Sequence, residues 1–349
     1  MKAARFHARE DVRVDDLPEP ETREGTVKIK VDWCGICGTD LHEYLEGPIF
    51  TPAEAPHPLT GERNPVQLGH EFAGHVTEVG RAVTGLAEGD AVTVEPTLFC
   101  GECAECRAGL TNLCRSLGFH GLSGGGGFAE YTALPASMVR PLGRVPTDLG
   151  ALVEPLAVGL HAVRKSGVRI GESAVVFGAG PIGLATITML RAAGVTKVIS
   201  VEVAQARKQL AEQTGASVVI DGTREDVVDA IRAAAGGLGP DVAFECAGIP
   251  AVLNIALHAV KRTGTVVNVA IWGAPTQIHL NDLVFSEAYL TGIIGYLGDH
   301  PATIGLLADD LIDVGFFITK RIKLDELVDG GFQELIQNKD EHVKVLVQP

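Results

Sequence analysis

The chain has no cluster of lysine or arginine. Lys and Arg total 29 against 44 Asp and Glu, for a formal net charge of −15. That balance repels phosphate backbones and anionic lipid, which argues against nucleic acid and the membrane surface as partners. The opening residues, MKAARFHARED, are charged and contain no apolar signal core, so a cytoplasmic protein is expected. No repeat of fixed period and no low-complexity tract occurs. A single stretch, Ser173 to Leu190, runs 18 residues without a charge. Its length could reach across a bilayer, but the interior G-A-G-P predicts strand, tight turn and helix instead. Cysteine is present but sparse: of seven, four lie within 15 residues. That grouping is too tight for a long-range disulfide framework and points to metal binding by reduced thiols.

The 349 residues suit two domains, and 46 % hydrophobic with 21 % charged residues is an ordinary globular balance. Up to about residue 150 the chain is rich in short alternating runs. VKIKVDW (Val27 to Trp33) alternates apolar and polar residues, and FAGHVTEVG and DAVTVEP predict further short strands, so a barrel-like antiparallel β domain is expected. From SAVVFGAG onward the rhythm changes. Strands at VISVE, SVVID, DVAFECAG and TVVNVAI alternate with helices at PIGLATITMLRAAG, AQARKQLAEQTG, REDVVDAIRAAAGG and AVLNIALHAVKRTG. Such alternation predicts a parallel sheet wrapped by helices. From about Tyr289 the pattern returns to short elements and ends in HVKVLVQP, expected to rejoin the first domain. The expected division is 1–153, 154–290 and 291–349.

Cys100, Cys103, Cys106 and Cys114 follow C-x2-C-x2-C-x7-C. Four soft thiolates saturate tetrahedral zinc and leave no position for substrate, so a structural zinc that holds a loop is expected. A nucleic-acid-binding knuckle is the competing reading. The neighbouring Glu95, Glu102 and Glu105, against only Arg107 and Arg115, speak against it.

VVFGAGPIG follows a predicted strand and opens a predicted helix. Gly178 permits the tight turn, Gly180 lets backbone approach a pyrophosphate, and Gly183 lets helix and strand pack closely. Pro181 fits the first helical turn, where a missing N–H costs little. Glu202 ends the next strand, 19 residues past Gly183. A carboxylate there favours a ribose 2′-OH over a 2′-phosphate, hence NAD over NADP, although Arg207 could tolerate a phosphate.

GICGTDLH and LGHEFAG bring a third set. Cys37, His70 and Glu154 can supply thiolate, imidazole and carboxylate to a zinc with one position open. Glu71 is either a ligand or an outer partner, and the two carboxylates could exchange. Cys34 forms C-x-x-C with Cys37, so a redox pair is the bland alternative. Thr39 and His42 together can pass a proton.

GHEFAG, GICGTD, the four-cysteine lobe and GAGPIG resemble the zinc-containing medium-chain dehydrogenase/reductases along nearly the whole chain. Glutamate at 154 resembles the polyol and diol branch. The segment LHEYLEGPIFTPAEAPHPLTGERNPVQLGHEFAG, with GFHGLSGGGGFAEY and ALVEPLAVGLHAVR, resembles the (R,R)-2,3-butanediol dehydrogenases of that branch. Sorbitol dehydrogenases usually carry arginine where Gly295 precedes Tyr296 here, which favours a small substrate. The resemblance implies an α/β architecture with a GroES-like β-barrel catalytic domain and a Rossmann domain inserted before its C-terminal part. It also implies NAD contacts at Ile182, Glu202 and Arg207, at Val269, Ala270 and Ile271, and at Ile293, Ile294 and Gly295, and a homodimer or homotetramer.

The expected activity is zinc-assisted, NAD-linked oxidation of a vicinal secondary diol to its ketol, (R,R)-2,3-butanediol and acetoin being the expected pair. Sorbitol or threonine dehydrogenase of the same family is one rival. A non-catalytic NAD-binding protein is another, opposed by the intact set Cys37, Thr39, His42, His70 and Glu154.

Overall fold

The computed structural model describes residues 1–338 and 340–349. The chain forms two compact units, Met1–Glu154 with His300–Pro349, and Pro155–Asp299. Among the described residues no helix is long and apolar enough to cross a membrane.

In the first unit the strand Thr26–Gly35 is the organiser. It pairs antiparallel with Glu71–Val79 and with Tyr131–Pro135, and its end meets the C-terminal strand Lys344–Gln348. Val27, Ile29 and Val31 point into a core shared with Phe72, Val92, Leu134 and Phe332. Burying each such side chain contributes about 1.5–3 kcal/mol. The expected alternation is broken at Lys28, which is also buried. Its ammonium is paired with Glu19 and Glu78, and the strand bulges at Lys28/Ile29 and Val31/Trp33.

The register then sets up a junction. Gly35 lies opposite Glu71 on one side and Leu346 on the other. A Cβ on Gly35 would fall 2.3 Å from Glu71 Oε2 and 3.2 Å from Lys344 Cδ. Only glycine lets these chain ends approach so closely.

The second unit is a six-stranded, all-parallel sheet. Its spatial order is Val218–Asp221, Lys197–Glu202, Ser173–Phe177, Val242–Glu245, Thr265–Asn268, Tyr289–Gly292. This is the doubly wound order 3-2-1-4-5-6. Ser173–Phe177 is buried along its whole length, as expected where helices cover both faces. The 18-residue uncharged run folds as this strand, the glycine turn and the helix Pro181–Ala192, whose proline occupies the first turn. The end of this unit differs from the expected boundary at 290/291. Tyr289–Gly292 still pairs parallel with Thr265–Asn268, and the compact unit extends to Asp299. A strand this short carries no local mark of the sheet it joins.

Candidate active site

Cys37 stands immediately before the helix Gly38–Glu46, as its N-cap. The N–H of Cys37 donates to Asp40 Oδ2 at 2.9 Å, so Asp40 ties down the helix start. The other oxygen of Asp40 faces His70, with Nδ1 and Oδ1 3.6 Å apart. That separation is too long for a hydrogen bond, and both atoms are buried without a partner among the described residues. With Nδ1 turned toward Asp40, Nε2 is the nitrogen left for a cation. Burial pushes the His70 imidazolium down, but the charges of Asp40 and Cys37 raise it well above the ordinary histidine value. The pocket therefore favours positive charge at this spot.

The ligand atoms of Cys37, His70 and Glu71 all lie within 4.8 Å of one another. Glu154, the second residue of the helix Val153–Ser166, is buried but is not part of that group. The set read from the sequence had Glu154 as the third ligand and Glu71 beside it. In the structure Glu71 is the carboxylate within the group. Its position follows from strand register: Glu71 opens Glu71–Val79 directly after His70.

Lys344 was not anticipated. Its Nζ donates to Glu71 Oε1 at 2.8 Å, to Oε2 at 2.6 Å and to the Ile36 carbonyl at 3.1 Å. Both partners of the pair are almost fully enclosed. Burial pushes the Lys344 ammonium down, and Glu71, Cys37 and Glu154 more than restore it, holding it above the ordinary lysine value. Glu154 is thus close enough for its charge to act on Lys344. Glu71, Glu154 and the Cys37 sulfur act on one lysine, a concentration of acidic groups that suits a divalent cation. The lysine in HVKVLVQP was visible as a polar residue inside an apolar strand. Nothing local shows which strand it meets.

Thr39 Oγ1 is 3.7 Å from Cys37 Sγ, and the exposed His42 lies one turn further along the same helix. Its Nδ1 is 3.8 Å from Glu46 Oε1. Cys34 is fully buried behind the cluster, where burial raises its thiol well above the ordinary value. An un-ionised thiol is a poor partner for redox exchange, which weakens the C-x-x-C redox reading.

The four sulfurs of Cys100, Cys103, Cys106 and Cys114 also lie within 4.8 Å of one another. Backbone N–H groups point at them: Cys100 donates to Cys114 Sγ at 3.2 Å, Cys103 to Cys100 Sγ at 3.3 Å, and Cys106 to Cys103 Sγ at 3.4 Å. N–H groups of Glu102 and Cys103 bring the Cys100 thiol down to about 7, while burial and the neighbouring thiols push Cys106 up to about 12. Four thiolates so close need a cation to coexist, which fits a closed zinc site. Arg115 is paired with Glu105 at 3.2 Å, so the lobe presents little free positive charge to a nucleic acid.

In the second unit Gly178 has φ 86°, a left-handed turn between Phe177 and the helix Pro181–Ala192. A Cβ on Gly183 would fall 1.8 Å from the Gly178 carbonyl oxygen, so glycine is required there for close packing. Glu202 is buried, and its carboxylate accepts from the N–H groups of Ala179 at 2.7 Å, Val203 at 2.6 Å and Ala204 at 3.0 Å. It therefore braces the glycine turn. A Cβ on Gly180 would be 3.9 Å from Arg207 Nη1, which places the guanidinium beside that turn. Val269 is buried and Ile271 exposed at the end of Thr265–Asn268. Gly295 has φ 55°, and Tyr296 next to it is buried.

Residues 23–144 match the alcohol dehydrogenase GroES-like domain family, and residues 181–309 match the zinc-binding dehydrogenase family. The chain is 47 % identical to (R,R)-butanediol dehydrogenase of Bacillus subtilis (strain 168), covering 100 % of both proteins. It is 32 % identical to sorbitol dehydrogenase of the same organism, over 100 % of this chain and 97 % of that one. The crystal structure of 2R,3R-butanediol dehydrogenase from Bacillus subtilis superposes with a TM-score of 0.93 at 46 % identity, covering 100 % of this chain and 99 % of the other. Two family matches in sequence order, and likeness along the whole length, establish that this chain belongs to the zinc-binding alcohol dehydrogenases.

Proposed function

We propose that the protein interconverts (R,R)-2,3-butanediol and acetoin with NAD. The observation that carries this reading is the cluster at the half-buried Cys37 and the buried His70 and Glu71, in a chain 47 % identical throughout to a butanediol dehydrogenase. When bound, zinc supplies a Lewis acid for the substrate oxygen and NAD supplies the hydride acceptor.

Cys37, His70 and Glu154 are the groups assigned to hold the catalytic metal, with Glu71 able to exchange. Both oxygens of Glu71 are engaged by Lys344, which supports Glu154 as the resting carboxylate. Asp40 faces His70 Nδ1 and leaves Nε2 for the metal. Thr39 relays the substrate hydroxyl proton, accepting it as it gives up its own, and His42, exposed on the same helix, delivers a proton to solvent. Cys100, Cys103, Cys106 and Cys114 hold the structural zinc.

Gly178, Gly180, Pro181, Ile182 and Gly183 receive the pyrophosphate at the helix start. Glu202 selects NAD, and the cofactor continues along Val269, Ala270, Ile271, Ile293, Ile294 and Gly295. The positive φ at Gly295 supports a small substrate. An arginine there would be strained in its backbone as well as bulky. A hexitol would then leave hydroxyl groups unpaired, at about 1–3 kcal/mol each.

Two copies are proposed to associate through the sheet edge. Tyr289–Gly292 is an edge strand, and Leu280, Val284, Phe285 and Tyr289 beside it are exposed. All seven cysteines are free, which suits a reducing cytoplasm.

The test is kcat/KM for (R,R)-butanediol, meso-butanediol and sorbitol, each with NAD and with NADP. The (R,R)-diol with NAD is expected to lead, by about tenfold or more over sorbitol. Sorbitol equal to either diol would replace this reading with a polyol dehydrogenase, and equal use of NADP would mean that Arg207 overrides Glu202.

A further inference from the structure

The strand Val242–Glu245 ends in a carboxylate that has no role in the account above. Glu245 is fully buried. Its Oε1 accepts from the N–H groups of Ala247 and Gly248, each at 2.9 Å, while Oε2 is enclosed and meets no donor among the described residues. Its main-chain carbonyl accepts from Val269 at 2.9 Å and Ala270 at 3.2 Å. One residue thus ties together the loops that leave two neighbouring strands of the parallel sheet.

Those loops adjoin the glycine turn. A Cβ on Gly178 would lie 3.3 Å from Ala247 Cβ, and a Cβ on Gly248 would lie 3.5 Å from Ala270 Cβ. The N–H of Cys246 donates to the Phe177 carbonyl, at the end of the strand that feeds the turn, at 3.0 Å. Ligands of doubly wound sheets bind outside the carboxyl ends of the strands, where these loops stand. A surface loop needs no fully buried carboxyl merely to close. Burial raises the Glu245 carboxyl above its ordinary value, against the pull of the Ala247 and Gly248 N–H groups, so the group is held there at a cost to stability.

We propose that Glu245 is a positioning residue for the dinucleotide: its carboxyl fixes the 246–249 loop as the wall that faces the glycine turn. This rests on reading that turn as the NAD site. The experiment is NADH binding by fluorescence titration of the purified, zinc-loaded enzyme, for wild type, E245A, E245Q and E245D. Acetoin reduction, thermal unfolding and zinc content are followed in parallel.

Removing the acceptor shared by the Ala247 and Gly248 N–H groups should free the loop they anchor and raise the E245A Kd for NADH at least about tenfold. KM for NADH should rise more than kcat falls, with zinc content unchanged. Gln keeps the acceptor, so E245Q should stay within about threefold of wild type. Asp withdraws it by one methylene, so E245D should fall between. A purely structural residue would lower the melting temperature without moving Kd. Wild-type affinity in E245A, or in E245D should E245A fail to fold, overturns the proposal. So does equal weakening in E245A and E245Q. If wild type itself does not bind NADH, the dinucleotide reading fails instead, an outcome distinct from wild-type binding that the variants leave unmoved.

Discussion

The lobe at Cys100–Cys114 and the cluster at Cys37, His70 and Glu71 differ first in how far the chain travels to build them. The lobe is closed within 15 residues, its sulfurs held by N–H groups of the same short segment. The cluster needs a helix start at Cys37, a strand start at Glu71 and a lysine 273 residues further on. They differ also in satisfaction. Four thiolates fill a tetrahedral zinc and leave nothing open. The cluster mixes sulfur, nitrogen and oxygen, and its acidic groups are only partly balanced by Lys344. A local, saturated site stabilises a loop. An assembled, partly balanced site can admit a substrate oxygen and alter its proton affinity.

The largest effect should come from breaking the closed site. Replacing Cys103 with serine removes one of four thiolates, and structural zinc contributes folding free energy on the order of 10 kcal/mol in small domains. Metal analysis and thermal unfolding of C103S should show zinc and stability lost together. Zinc lost with the melting temperature unchanged would make the lobe an ornament.

At the open site the proposed carboxylate is tested by E154A against E71A. E154A should lose on the order of a thousandfold in turnover while the lobe zinc and NADH binding persist. If E71A is the more damaged of the two, the resting ligand is Glu71.

The buried pair is next. Lys344→Met leaves Glu71 charged and enclosed, and breaking such a pair costs about 3–5 kcal/mol. Urea unfolding of the single variant and of the double variant E71Q/K344M should show the second change recovering most of the loss. Additive losses would mean that the two residues act independently.

The smallest effect concerns His120, just past the base of the lobe. Burial brings its imidazole down to about 4. The folded value lies below the unfolded one near 6.5, so this stabilisation is complete above about pH 6.5 and is lost as pH falls toward 4. Between about pH 7.5 and 5 the wild type should lose about 2 kcal/mol more than H120N. Equal losses would place acid sensitivity in the thiolates alone.

The sequence exposed these two sites unequally, for the same reason that they differ in construction. Cysteine spacing is a local property, so the closed lobe could be read directly, as could the glycine turn with its strand and helix. The ligand types at Cys37 and His70 were legible because each sits in a short motif. The choice between Glu71 and Glu154 was not, because it depends on where two separate elements place their carboxylates. Lys344 was hidden for a stronger reason: its partner is set by the register of the C-terminal strand against Thr26–Gly35. Glu202 was read as a ribose partner, and its bracing of Ala179 in the glycine turn became visible only once the loop was folded.

The central claim is that one chain holds two zinc ions with separable roles, and the most direct measurement follows both through graded chelation. Zinc content, acetoin reduction with NADH and far-UV circular dichroism would be recorded on the same samples. The account predicts close to two zinc ions per chain at the start. The first to leave should abolish turnover with the fold intact, and the second should take the fold with it. A single zinc per chain with full activity, or loss of activity and fold in one step, would contradict it.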